Sequence, residues 1–310
     1  MKTKVILDVD TGIDDAIGII LAATAPEIEL LGITTVSGNI DLESATINTL
    51  RVLKLLGKDG INVYKGAKAP LKRQIRYAVE VHGASGMAGE LEHIEVAHTE
   101  EKPAWNFLKE MVECYPGEIV LILTGPQTNL AIAIEKYPEI KQKLKEVIVM
   151  GGAVIEKGNE SPVAEFNIAI DPEAAAQVFE SGMKVTMIGL DVTKKALLKR
   201  DHFVGLSKDS PVADFVISVT KQYMDYNFSQ SGVAGCSMHD PLAVTMAIMP
   251  ELVKTTPYYV VVETNSLYCD GQTVCDFNGR YNKPANVHVG LEVDSEKFIA
   301  FLIDRINKAI

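Results

Sequence analysis

Neither a long apolar run nor a basic block is present in this 310-residue chain. A membrane-spanning helix needs ~20 consecutive apolar residues, and no stretch approaches that length. The first residues, MKTKVILDVD, reach two aspartates too early for a signal peptide. Lys and Arg number 30 against 41 Asp and Glu, a net charge of −11, with a sequence pI near 5.1. Nucleic acid and anionic membranes are therefore excluded as expected partners, since both require a basic surface. The four cysteines, Cys114, Cys236, Cys269 and Cys275, form no CxxC pair and no Cys/His grid. They read as packing thiols of a reducing compartment, which makes the cytoplasm the expected location. Repeats, low-complexity tracts and Pro/Gly/Ser linkers are also missing, so a single domain over 1–310 is expected.

Present instead is a composition 47% hydrophobic, enough for a large core. Short apolar segments recur as KVILDVD, LLGITTV, INVYKG, EIVLILTG, EVIVMGG and KVTMIGLD. Helix-like stretches at 15–25, 41–57, 101–115, 171–180 and 210–228 lie between or after them. Strands apolar on both faces and alternating with helices predict an α/β fold: an open, mostly parallel sheet flanked by helices, with a Rossmann-like core. After residue 250 the pattern changes to TTPYYVVVET, QTVCDF and NVHVGLEV, which predicts a small antiparallel C-terminal appendage before a last helix at 294–308. In such sheets ligands bind beyond the carboxyl ends of the strands. Asp10, Ser37-Gly38-Asn39, Thr124-Gly125 and Met150-Gly151-Gly152 all follow predicted strands and should share one rim.

Asp8-Val9-Asp10-Thr11-Gly12-Ile13-Asp14-Asp15 carries four carboxylates in eight residues. Charges of one sign at this density repel unless a cation or a helix N-terminus offsets them. Asp8 lies within the strand. Asp14 and Asp15 open the first helix, where capping accounts for one of them but not for the group with Asp10. A metal site follows, and oxygen-only donors favour Ca²⁺ or Mg²⁺ over zinc. A second cluster, Asn159, Glu165 and Asn167 in GNESPVAEFNIAIDPEAA, suits a ligand with many hydroxyls, although Asn in a solvated loop is also ordinary. The third, Met238-His239-Asp240-Pro241, opens an apolar helix that Asp240 could simply cap. No Arg/Lys cradle or Gly-rich phosphate loop adjoins the aspartates. A phosphate group is therefore not an expected ligand beside them. His93, His98 and His202 lie in polar stretches and read as surface, while His288 and Trp105 read as structural.

Together these segments carry a resemblance. DVDTGIDDA, VSGN, LTGPQTNLA, VIVMGGA, AEFNIAIDPEAA, MHDPLAV and TVCDFNGRYNKPANVHVG, in that order, resemble the inosine–uridine-preferring nucleoside hydrolases over essentially the whole chain. The resemblance implies calcium-dependent hydrolysis of ribonucleosides to ribose and free base, in nucleoside salvage or catabolism. It implies a Ca²⁺ held by Asp10, Asp15, the backbone carbonyl of Thr124 and Asp240, with Asp10 also the general base on the bound water. It further implies that Asp14, Asn39, Asn159, Glu165 and Asn167 hold the ribose hydroxyls and that Met150 packs beside the sugar. His82 and His239 would face the base, and the assembly would be a homotetramer or homodimer.

Two departures stand out: Thr11-Gly12-Ile13 replaces the common Pro-Gly-His, and the base-side positions read Tyr223, Asn227 and Ser231. Tyr223 and Asn227 are four apart and share one helical face, so an aromatic there serves a purine or a pyrimidine. The group that protonates the leaving base is His239, His82 or Tyr223. Two rival readings remain at this level. A haloacid-dehalogenase-type phosphotransferase also uses a DxD after a strand, but wants Thr or Val where Gly12 stands. A nucleoside-binding protein without turnover would keep the same pocket.

Overall fold

A computed structural model describes residues 2–96 and 99–309; His98 lies outside the described residues. The first part of the chain forms β1 (Thr3–Val9), α1 (Ile13–Thr24), β2 (Ile28–Thr35), α2 (Leu42–Leu55), β3 (Val63–Lys65) and the single turn α3 (Val79–His82). Next come α4 (Ala104–Cys114), β4 (Ile119–Leu123), α5 (Thr128–Lys136), α6 (Ile140–Lys143) and β5 (Glu146–Met150). They are followed by α7 (Phe166–Ile170), α8 (Pro172–Phe179), β6 (Val185–Ile188) and α9 (Leu190–Thr193). The last part holds β7 (Leu197–Leu198), α10 (Pro211–Ser231), β8 (Cys236–Ser237), α11 (His239–Thr245), β9 (Val253–Tyr258), β10 (Val260–Val262), β11 (Thr273–Cys275), β12 (Val287–Val293) and α12 (Ser295–Lys308).

Eight strands form one sheet in the order β3-β2-β1-β4-β5-β6-β12-β9. Neighbours from β3 to β12 are parallel, and β9 pairs antiparallel with β12. Successive residues of a strand face opposite sides, and the core divides accordingly. Val5, Leu7, Val120 and Ile122 pack with α1, α10, α11 and α12 on one side. Ile6, Ile119, Leu121 and Leu123 pack with α4, α5 and α8 on the other. Burial on both faces explains why these strands read as apolar throughout. Among the described residues, no helix is long and apolar enough to cross a membrane.

The α/β architecture is as read from the sequence, with one difference. Two segments that read as parts of the antiparallel appendage join the main sheet instead: TTPY lies in β9, its antiparallel edge, and NVHVGLEV in β12, parallel to β6 through Val287–Val185 and Val289–Met187. The separate C-terminal antiparallel element is the β10–β11 pair alone. Apolar alternation identifies a strand without identifying its partner. Gly290 helps admit β9 beside β12, since a Cβ there would meet Val253 Cγ1 at 2.9 Å.

For the site, the position of β1 between β2 and β4 is decisive. The chain leaves β1 toward β2 and later returns to β4 on the opposite side. Loops after β1 and β4 therefore diverge and leave a crevice at their carboxyl ends.

Candidate active site

Asp10 follows β1 directly, and Gly12 begins the turn into α1, which delivers Asp14 and Asp15 in its first turn. Asp15 performs the capping that the sequence allows for one acid: its Oδ2 accepts Gly12 N–H at 3.0 Å. The same oxygen accepts Asn39 Nδ2 at 3.0 Å, and Oδ1 accepts the Thr124 hydroxyl at 2.8 Å. Asp10 Oδ2 accepts Asn39 N–H at 2.6 Å, while Asp10 Oδ1 is buried without a partner. Glycine is needed beside it, because a Cβ on Gly38 would fall 2.1 Å from Asp10 Oδ2. From α11, Asp240 completes a group in which one carboxylate oxygen each of Asp14, Asp15 and Asp240 lies within 4.8 Å of the others.

All four acids are buried, and their electrostatics follow from that. Burial raises the pKa of Asp10, Asp15 and Asp240 above the ordinary carboxylate range. Repulsion adds to burial at Asp10, chiefly from Asp15, and at Asp240, chiefly from Asp14. Asp14 is pushed up to about 7, again by burial and then by Asp15. Four adjacent acids with an orphaned oxygen, and with no cationic side chain bonded to them among the described residues, fit a hard divalent cation. A cation there would satisfy Asp10 Oδ1 and remove the repulsion.

Asn167, on α7, donates Nδ2 to the Thr124 carbonyl at 2.6 Å and to the Met150 carbonyl at 3.2 Å, joining the ends of β4 and β5. Glu165 caps α7 through Ile168 N–H at 3.2 Å and also accepts Gly152 N–H at 3.0 Å. Burial raises its carboxyl to about 7. Asn159 Oδ1 accepts Phe166 N–H at 2.9 Å. These groups line a cavity of about 810 Å³ together with Asp14, Asn39, Thr124, Met150 and Asp240.

The same cavity is lined by His82, His239, Tyr223, Asn227 and Ser231. His82 Nδ1 accepts Ile13 N–H at 3.0 Å, so the neutral ring carries its proton on Nε2. This bond ties α3 to the start of α1, and the sequence gives no sign of it. Burial lowers the His82 pKa to about 3 and that of His239 to about 4. The Tyr223 phenol is pushed well above its ordinary range, first by burial and then by Asp14. Asn227 donates Nδ2 to Gly235 O at 3.1 Å, so part of its amide holds the turn after α10.

Other residues fall elsewhere. Asp8 turns away from the cavity and accepts Asn129 Nδ2 at 3.1 Å. His93 is exposed, His202 and His288 are half-buried, and Trp105 packs against the α4 side of the core. Two cations that the sequence reading missed, Arg76 and Lys194, do line the cavity. Each is already engaged: Arg76 with Glu160 at 3.0 Å, and Lys194 with Glu156 at 3.6 Å and the Lys157 carbonyl at 2.9 Å. Only the fold brings these distant segments together.

Comparison with known proteins matches this geometry to a family. The family described as inosine-uridine preferring nucleoside hydrolase matches residues 5–300. The chain is 40% identical over 301 residues to a non-specific ribonucleoside hydrolase of Klebsiella pneumoniae subsp. pneumoniae, covering 96% of both. A non-specific ribonucleoside hydrolase of Escherichia coli is 39% identical, again with 96% of both covered. Among solved structures, a plant nucleoside hydrolase superposes with a TM-score of 0.94 at 30% identity, covering 99% of each chain. A purine-preferring ribonucleoside hydrolase from Gardnerella vaginalis gives 0.90 at 34% identity, covering 99% of this chain and 98% of its own. The phosphotransferase and binding-only alternatives are set aside by these matches. The chain belongs to the inosine–uridine preferring nucleoside hydrolase family and is a ribonucleoside hydrolase.

Proposed function

We propose that the reaction depends on Ca²⁺ held by Asp10, Asp15, Asp240 and the Thr124 carbonyl, and that both uridine and inosine are cleaved to ribose and base. The observation that carries this reading is the convergence of Asp14, Asp15 and Asp240 beside the unpartnered Oδ1 of Asp10. When bound, the cation offsets the clustered charge and acidifies water. Asp10 accepts the proton of the attacking water.

Cleavage of a ribosyl C–N bond builds positive charge on the sugar. Asp14 and Glu165 present negative charge to it, and with Asn39, Asn159 and Asn167 they hold the hydroxyls. Asn167 spends both Nδ2 hydrogens within the protein and Asn39 one of its two, and both amide oxygens remain as acceptors for sugar hydroxyls. Contacts that tighten as the ring flattens raise the rate rather than only the affinity. Met150 packs beside the sugar.

His239 serves the departing base, with His82 and Tyr223 beside it. At neutral pH the three are an imidazole, an imidazole and a phenol, each uncharged and each able to donate a hydrogen bond. Full transfer requires the imidazolium, which burial makes a strong acid. Tyr223 packs on either class of base, and the non-specific character of the Klebsiella relative supports activity on both. Nucleotides are poor substrates because Arg76 and Lys194 are already paired. The same reading includes one domain over 1–310, a cytoplasmic location supported by four free thiols, a homotetramer or homodimer, and a role in nucleoside salvage or catabolism.

The test is release of reducing sugar from uridine and inosine by protein stripped with a chelator, with and without Ca²⁺. Turnover should vanish and return with the ion; undiminished turnover in stripped protein overturns the reading. His239→Ala should cripple cleavage of uridine and spare p-nitrophenyl riboside, whose leaving group needs no proton.

A further inference from the structure

The short turn α9 bonds to two segments that line the cavity. Asp191 is buried, at 3% exposure, and takes three consecutive backbone N–H groups. Oδ2 accepts Val154 at 3.0 Å, and Oδ1 accepts Ile155 at 2.8 Å and Glu156 at 2.9 Å. Three successive N–H groups form a concavity suited to an anion, and here the anion is a side chain. They belong to the loop that leads from β5 to Asn159 and Glu165. Two residues beyond Asp191, fully buried Thr193 meets His239 Nδ1 through its hydroxyl at 2.8 Å. With that hydroxyl donating, the ring proton lies on Nε2, and rotation about the imidazole axis is resisted.

We propose that α9 is the positioning element of the site: Asp191 holds the loop that grips the ribose, and Thr193 holds the His239 ring in the orientation that serves the leaving base. The Thr193 half rests on the reading of His239 given above, and the Asp191 half on the ribose contacts given there to Asn159 and Glu165. Neither residue lines the cavity. Asp191 cannot be replaced by Asn without loss, because an amide presents one acceptor oxygen and turns N–H toward N–H at the other. The Thr193 hydroxyl has a near-isosteric apolar substitute in Val, so its bond can be removed with little change of volume.

The two halves predict different kinetic signatures. Thr193→Val should lower kcat on uridine by about 10–100-fold, change KM little, and leave p-nitrophenyl riboside within about threefold. Thr193→Ser retains a hydroxyl and should restore the uridine rate. Asp191→Asn should raise KM about tenfold or more on both substrates, because the ribose is common to them. Circular dichroism and thermal melting establish that each variant is folded before rates are compared. Equal losses on both substrates in Thr193→Val, or no rescue by Ser, overturn the Thr193 half. An unchanged KM in folded Asp191→Asn overturns the other. His239→Ala run in parallel separates the failures. If it loses both substrates equally, the reading of His239 itself is wrong. If it is selective where Thr193→Val is not, only the positioning inference falls.

Discussion

Two sets of buried carboxylates sit at opposite ends of a single scale. Asp171 and Asp191 each receive three donors: Asp171 takes Thr128 Oγ1 at 2.6 Å, Leu71 N–H at 2.9 Å and Ala174 N–H at 3.1 Å. Asp10, Asp14, Asp15 and Asp240 instead face one another, and Asp10 Oδ1 receives nothing. Buried acids of the first kind are completed by backbone and hydroxyl donors and act as cross-links between segments. Acids of the second kind cannot all be ionised until something positive arrives. Burial alone therefore does not mark a functional acid, and neither does the number of donors, since Asp15 also accepts three; crowding with other buried acids does.

The strongest way to break this contrast is Asp10→Asn. It should leave a folded protein with turnover reduced by about 10³-fold or more, because the proton acceptor and a cation ligand are lost together. Near-normal turnover on uridine would place Asp10 with the cross-linking acids. The converse is Asp171→Ala, which strands three donors and should cost about 1–3 kcal/mol of stability. Calcium affinity, measured by calorimetry, should stay unchanged in that variant; a weakened affinity at full stability would erase the distinction.

A smaller effect sharpens it. The carboxyls of Asp14 and Glu165, at about 7, and of Asp8, at about 8, titrate above their ordinary values of 3.8, 4.5 and 3.8. A raised folded-state pKa contributes stability that is complete below the ordinary value and is lost as pH climbs through the folded one. With chelator present, the melting temperature should thus fall between pH 5.5 and 8.5. Calcium needs the ionised acids and competes with protons. Its stabilising increment should therefore grow over the same interval. A chelated protein that melts higher at pH 8.5 than at pH 5.5 would show that these acids are not held unfavourably.

What the sequence made legible follows the same physics. Four acids within eight residues are visible without a fold, because no local element accounts for them all. The parallel sheet was visible because strands covered on both faces are apolar throughout. Tyr223 and Asn227, one helical turn apart, could be assigned to one wall, and both line the cavity. Asp191 and Thr193 were not visible: a single acid and a single hydroxyl after a strand look like ordinary capping. The bond from Ile13 N–H to His82 joins residues too far apart for any local pattern. The pairing of β12 with β6 escaped for the same reason, since long-range strand order leaves no periodicity behind.

That pairing has a consequence for how the protein is made. Until Val287–Val293 emerges, β6 is the unfinished edge of the parallel sheet, and β9 lacks the strand it binds. At roughly 5–20 residues per second, the interval between synthesis of β6 and β12 is on the order of 5–20 s. An apolar edge exposed that long is a template for pairing with another nascent chain. A ribosome stalled before residue 287 would therefore release a polypeptide that carries every acid of the metal cluster and yet aggregates. Fast supply of the final strand, or a chaperone on the β6 edge, becomes a condition of yield in the cell.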